Sequence, residues 1–272
     1  MPGARGARCR QGCWRRPGLP VTPLAAAALP TRLDFLRFEF KYVLPADLRR
    51  EVERELGYFM QLDPFVGGCA DKKYFVRSLY FDSPGYEHYF EKIDGMLQRA
   101  KFRVRTYARS PGEAATFLEL KGRHDALVFK HRAELRGATF ARGSRDVAET
   151  VLACATEGPV LQRFRFERER RRLRPVMLID YERRPYVSRY DHEFRLTFDD
   201  TLRATRTESL FPAPWENARD VLLGATIMEV KFRYHVPSWF HRILQSYDLR
   251  RQSISKVCEG MEVWQLHPDM EF

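Results

Sequence analysis

The feature that most limits what this chain can fold into is a two-residue alternation of charge and bulk that recurs in seven places. Phe38, Phe40 and Tyr42 interleave with Arg37, Glu39 and Lys41. Lys101, Arg103 and Arg105 oppose Phe102, Val104 and Thr106, and Glu119 and Lys121 oppose Leu118 and Leu120. Lys130 and Arg132 share one face, as do Tyr181 and Arg183. Glu193, Arg195, Thr197 and Asp199 oppose Phe194, Leu196 and Phe198, while Glu229, Lys231 and Arg233 oppose Met228, Val230 and Phe232. Side chains on a strand point alternately to its two faces, so each stretch reads as a strand with one charged and one apolar side. A single stretch of this kind describes any half-buried strand. Seven, with Arg, Lys and Glu where open water would tolerate Ser, Thr, Asn or Gln, predict an α+β fold whose antiparallel strands close into a barrel. Its apolar outside would lie under several helices and its inside would be charged. Closure would remove the exposed edges. A wet, cationic interior is tolerable only if acids, water and a bound polyanion compensate it.

Helical stretches are fewer. ADLRREVEREL follows Pro45, with Asp47 as the expected cap and an apolar stripe through Leu48, Val52 and Leu56. Further helices are expected near 144–154 and 158–172, then after Pro237, resuming near Ser255 and bringing Lys256 to the barrel mouth. Arg168, Arg170, Arg171, Arg172 and Arg174 read as a solvated helical face. Residues 1–32 have no helical or strand period and read as a disordered basic tail rich in Arg, Pro and Gly. Pro20, Pro23 and Pro30 interrupt its resemblance to an export signal. Residues 33–272 read as one domain, without repeat or linker.

The formal charge is +11, from 47 Lys and Arg against 36 Asp and Glu. Six of those arginines lie in 1–32, which hold no acid, leaving +5 on the remaining 240 residues. The balance suggests an anionic partner. No stretch approaches the roughly 18 apolar residues of a membrane span. Five scattered cysteines do not suggest a disulfide framework, and a cytoplasmic setting is expected. Arg103 and Arg105, about 6.6 Å apart along one strand, suit neighbouring phosphoryl groups, each guanidinium fork making two bonds. Cations enclosed in a barrel cannot read a duplex, so no specific nucleic-acid partner is expected. Glu39, Glu119 and Glu229 are oxygen donors of the kind that hold Mg²⁺ or Mn²⁺. GxxxxGK[ST], HRD with DFG, GxSxG and HExxH are all absent from the sequence.

FEFKY at 38–42, RSLYFDS at 77–83, KFRVRTY at 101–107, FLELKGR at 117–123, IDYERRPY at 179–186, EFRLTFD at 193–199, IMEVKFRY at 227–234 and SKVCEGM at 255–261 together resemble the VTC domain. That family belongs to the triphosphate tunnel metalloenzymes, and the likeness spans roughly 35–265. It implies an eight-stranded antiparallel tunnel that binds the triphosphate of ATP and, in polymerase members, moves the terminal phosphate onto inorganic polyphosphate. It implies phosphate-binding roles for Lys41, Arg103, Arg105, Lys121, Lys130, Arg183, Arg195, Lys231 and Lys256, with Tyr181 and Ser255 as polar helpers. Lys41, Arg103, Arg105, Arg183, Arg195 and Glu229 form the expected catalytic set. Glu229 resembles the main metal-binding Glu for Mn²⁺ or Mg²⁺, with Glu119 and Glu39 as further acidic positions. The wider superfamily often begins ExExK, whereas this chain has Arg37-Phe38-Glu39-Phe40-Lys41. That change fits phosphotransfer better than two-metal hydrolysis. The expected function is therefore an ATP-dependent polyphosphate polymerase, with a metal-dependent triphosphatase or a noncatalytic polyphosphate binder as alternatives. Peripheral association with a membrane-protein partner, at the inner face of a membrane, is compatible with the sequence; the oligomeric state is not fixed by it.

Overall fold

A computed structural model describes residues 37–112 and 115–266. The expected tail at 1–32 lies outside the described residues. Among the described residues, ten strands and six α-helices follow one another. They are β1 (Phe38–Pro45), α1 (Ala46–Leu56), β2 (Met60–Leu62), β3 (Tyr74–Asp82), α2 (Glu87–Ile93), β4 (Gln98–Thr106), β5 (Thr116–His124) and β6 (Leu127–Glu134). After these come α3 (Val147–Cys154), α4 (Pro159–Arg171), β7 (Arg174–Ser188), β8 (Arg195–Thr205), β9 (Arg219–Asp220), β10 (Ala225–Phe232), α5 (Ser238–Ser246) and α6 (Lys256–Val263). The seven alternating stretches all fall on strands. Asp47 is not the cap of α1. The N-cap is Pro45, and Asp47 sits in the first turn, where its charge complements the helix dipole. The short α2 carried no periodic signal in the sequence.

The eight long strands run in the order β1-β10-β8-β7-β3-β4-β5-β6, all paired antiparallel, with β2 added to β7 and β9 to β8. The sheet is not a closed barrel, which corrects the expectation from the sequence. Its end strands β1 and β6 share no ladder and touch through one isolated bridge, Arg37 with Val128. The physical reason lies at the β1 edge. The Gln252 N–H donates to the Lys41 carbonyl at 2.8 Å, and the Lys41 ammonium donates to the Ile254 carbonyl at 3.0 Å. The segment before α6 thus occupies one edge acceptor, the Lys41 carbonyl, that a closing strand would have used, and the Lys41 side chain ties that segment in place. Across the seam, Lys121 on β5 reaches Glu39 on β1 at 2.8 Å, a side-chain tie in place of a backbone one.

Helices cover the face opposite the charges. Phe164 of α4 packs edge-on against Phe81 and Phe102, with Leu161, Val147 and Val151 in the same cluster. Val52 and Leu56 of α1 meet Phe240 and Ile243 of α5 over Phe194, Phe198, Met228 and Val230. The last helix behaves differently. Val257, Cys258 and Met261 of α6 pack with Val76, Ile179, Tyr181 and Ala204, on the charged side of the sheet and toward one end. The approach is close at Gly260, where an added Cβ would lie 2.8 Å from Ile179 Cδ1 and 2.9 Å from Ala204 Cβ. The α4 arginines are not simply solvated either. Arg168 pairs with Glu149, Arg170 with Glu167, and Arg171 with Glu91, Glu87 and Glu167. None of these three arginines lines the main cavity.

Candidate functional site

The charged face of the sheet lines a cavity of about 670 Å³. Sixteen Lys and Arg residues line it, against Glu39, Asp63 and Glu229 among the described residues. The alternation explains this: residues two apart on β1, β4, β5, β6, β7, β8 and β10 are all delivered to one side. The structure brings Lys41, Arg103, Arg105, Lys121, Lys130, Tyr181, Arg183, Arg195, Lys231, Ser255, Lys256, Glu39 and Glu229 to the cavity wall. Glu119 lies behind that wall, fully buried.

Two anionic nodes hold the cations. In the first, Glu119 accepts from Arg103 Nε and Nη2 at 2.9 and 2.7 Å and from Arg132 Nε and Nη2 at 3.0 and 2.6 Å. Lys130 lies 2.7 Å and Arg105 3.7 Å from the same carboxylate. Burial pushes the Glu119 pKa up, but Arg105, Arg103 and Lys130 outweigh it and hold the carboxyl far below its usual range. Burial lowers Lys130 to about 6, with Glu119 opposing and Arg105 and Arg103 adding to the fall. Arg103 also donates to Tyr80 Oη at 2.8 Å. Burial alone would raise this phenol, yet Arg103 and Arg105 bring it down to about 8. Arg105 donates to Ser78 Oγ at 3.0 Å and Tyr181 Oη at 3.1 Å.

The second node joins Glu229 on β10 to Asp199 on β8. Lys256 stands 2.5 Å from Glu229 and 2.6 Å from Asp199. Arg183 makes a two-pronged pair with Asp199, 2.6 Å on each side, and reaches Glu229 at 3.1 Å. Lys231 lies 3.0 Å and Lys41 3.9 Å from Glu229. Burial raises the Glu229 pKa, while Lys256, Lys231 and Arg183 drive it well below the ordinary value. Lys231 falls to about 8 through burial, against the pull of Glu229. Between the nodes stands Glu39. Burial and the neighbouring Glu229 raise its pKa, and Lys121 with Lys41 reverses the sign. Ser255 is the N-cap of α6, so the positive end of that helix opens on the cavity beside Lys256. Arg195 is at the rim, donating to the His192 carbonyl at 3.4 Å.

Asp199, Lys101, Arg132 and Tyr80 also shape the site and were not in the expected set. Asp199, Lys101 and Arg132 were legible, since each shares the charged face of its strand with a residue that was named. Tyr80 was less legible: Ser78, Tyr80 and Asp82 alternate with Leu79 and Phe81, but that face carries no Lys, Arg or Glu. Among the described residues, no group of three or more His, Cys, Asp or Glu is placed to hold a metal ion. The donors that fit a hard divalent ion are Glu229 and Glu39, both ionised and both on the wall, with water and phosphate oxygens completing the shell. Glu119 does not fit, because it is fully buried behind the wall and does not line the cavity.

The sequence of residues 36–265 matches the model of the VTC domain. The chain belongs to the VTC domain family. No curated protein matches the chain significantly. Among solved structures it is similar to a protein provisionally described as an adenylate cyclase from Bacillus halodurans, at 14% identity and TM-score 0.48, covering 81% of this chain and 94% of that one. It is also similar to PH1819 from Pyrococcus horikoshii OT3, at 12% identity and TM-score 0.43, over 84% and 99% of the two chains. A third is a protein from Hippeastrum, provisionally described as an adenylyl cyclase and reported to have a dominant triphosphatase activity. It shares 13% identity at TM-score 0.42, over 84% and 96%. Among the described residues of this VTC-domain chain, no helix is long and apolar enough to cross a membrane.

Proposed function

We propose that the chain binds the triphosphate of ATP in this cavity and transfers its terminal phosphoryl group to inorganic polyphosphate, releasing ADP. The observation that carries this reading is the charge surplus of the wall. Sixteen Lys and Arg residues line the wall against three carboxylates on it and Glu119 and Asp199 buried beneath it, whereas a nucleoside triphosphate brings roughly four negative charges, one on each inner phosphate and nearly two on the terminal one. A wall so far in excess suits two polyanions at once, a donor and an acceptor.

Arg103 and Arg105 are held rigidly by Glu119, Tyr80, Ser78 and Tyr181, so their remaining N–H groups are pre-aimed at successive phosphates without reorganisation. Lys231 and Lys256 would exchange contacts with Glu229 for phosphate oxygens, freeing that carboxylate. Glu229 and Glu39 are the residues that would hold Mn²⁺ or Mg²⁺, which supplies neutralisation of phosphate charge when bound. In the transfer, a terminal oxygen of polyphosphate attacks the γ-phosphorus, and the bond from that phosphorus to the β–γ bridging oxygen breaks. ADP leaves with the electron pair. The attacking oxygen is already an anion, so no strong general base is needed; the cations serve to let two polyanions meet. Hydrolysis is the second reading. It is favoured by Glu39 and Glu229, two carboxylates on the wall where a water could be oriented as the acceptor.

The test is to give the purified chain ATP, Mn²⁺ and a short polyphosphate primer and to resolve the products on a gel. Longer polyphosphate with ADP is expected. ADP with free phosphate and an unchanged primer would select hydrolysis, and binding without turnover in both Mn²⁺ and Mg²⁺ would leave a polyphosphate-binding module.

A further inference from the structure

A second cavity, of about 720 Å³, lies on the opposite face of β4, β5 and β6, under α2 and α4. That size is in the range of small-molecule sites, roughly 300–1,000 Å³. Its sheet side is aromatic. Phe129 and His131 line it with ring centroids 5.6 Å apart. The Phe129 ring can lie against β5 only because residue 122 is glycine; a Cβ there would sit 2.0 Å from the ring. Ala100 keeps the neighbouring position on β4 low. One end of this cavity is cationic. Arg99 and Arg123, register partners on β4 and β5, line both this cavity and the main one. Each donates to a backbone carbonyl, of Met96 and Asp125 respectively, rather than to a carboxylate. On the helix side, Glu167 and Glu91 are matched by Arg163 and Arg171.

From this juxtaposition we infer that the outer cavity is a second ligand site, for a nucleoside mono- or diphosphate. A planar base would stack on Phe129 and His131, and its phosphates would meet the guanidinium groups of Arg99 and Arg123. The inference does not rest on the phosphoryl-transfer reading: its stacking residues lie on the other face of the sheet, and Arg99 and Arg123, which line both cavities, take no part in the proposed transfer.

The probe is radiolabelled ADP in equilibrium dialysis with the full chain, at fixed ionic strength and without added metal. Phe129→Ala removes the stacking surface and Ala100→Trp fills the cavity from the other side, so a folding failure of one leaves the other. Circular dichroism and elution volume establish which variants are folded. Each folded variant should lose one bound equivalent of ADP, or bind it at least tenfold more weakly. Arg105→Ala, in the main cavity, should leave that same equivalent in place. Both outcomes stand even if the chain proves to have no transferase activity. The inference is overturned if the folded outer-cavity variants bind ADP like the unmodified chain, or if Arg105→Ala abolishes all ADP binding.

Discussion

Glu119→Gln keeps the size of the side chain and removes the one charge on which three arginines and Lys130 converge. Arg103, Arg105, Lys130 and Arg132 all lie within 3.7 Å of that carboxylate, which is 0% exposed. Removing one partner of a buried charge pair typically costs about 3–5 kcal/mol, because the remaining charges stay desolvated. Two features place the expected cost at the low end. Arg132 is partly exposed, and Lys130, lowered to about 6, is already mostly neutral at pH 7 in the unmodified chain, so the loss of Glu119 strands little charge there. A loss of about 3 kcal/mol, at roughly 2–4 °C per kcal/mol for a domain of this size, lowers Tm by about 6–12 °C. Differential scanning fluorimetry measures it. Tripolyphosphate, which supplies the missing negative charge, should raise the Tm of the variant by more than it raises that of the unmodified chain. An unchanged Tm, or a variant whose Tm responds to polyanion no more than the unmodified chain does, refutes the assignment of Glu119 as the anion that holds this node. A loss of metal affinity at constant Tm would instead make it a metal ligand.

Glu229→Gln, which removes a carboxylate on the wall, should lower metal-dependent turnover by about two orders of magnitude or more, while Arg165→Ala, whose partner is Glu157 on the surface, should leave turnover unchanged; equal effects in product assays would contradict the site. Arg103→Ala and Arg105→Ala should each raise the KM for ATP and lower kcat, since each meets phosphate charge before and during transfer, and steady-state kinetics with a polyphosphate primer resolves the two. Lys231, lowered to about 8, is protonated below that pH and neutral above it, so ATP affinity should fall as pH rises through 8, by about tenfold or more for one charge-assisted hydrogen bond; Lys231→Met should remove that step from the pH profile measured by titration. Gly260→Val places a side chain against Ile179 and Ala204 and should destabilise the fold by about 1–3 kcal/mol, read as a shift in the urea midpoint at unchanged slope.

The alternation of residues determined which side chains share a face. Because strand side chains repeat every second residue, Arg103 and Arg105 had to lie together, and so did Glu229 and Lys231, whatever the tertiary arrangement. The α1 stripe of Leu48, Val52 and Leu56 was readable for the same local reason. The periodicity held no information about distances between strands that are far apart in the chain. That Arg183 on β7 grips Asp199 on β8, and that Lys256, near the C-terminus, bridges Asp199 to Glu229, depends on strand order and on the irregular register between Asp180 and Glu182. Closure was not legible either, because it depends on whether two edges find each other's hydrogen-bonding groups. Here the Gln252 N–H holds the Lys41 carbonyl on the β1 edge, and the Lys41 side chain fixes the same segment through the Ile254 carbonyl. The three glutamates look alike in sequence, each flanked by large apolar residues on a strand. Only packing separates Glu119, sealed behind the wall, from Glu39 and Glu229, which line the cavity, because access to the cavity is a property of the assembled sheet rather than of any one strand.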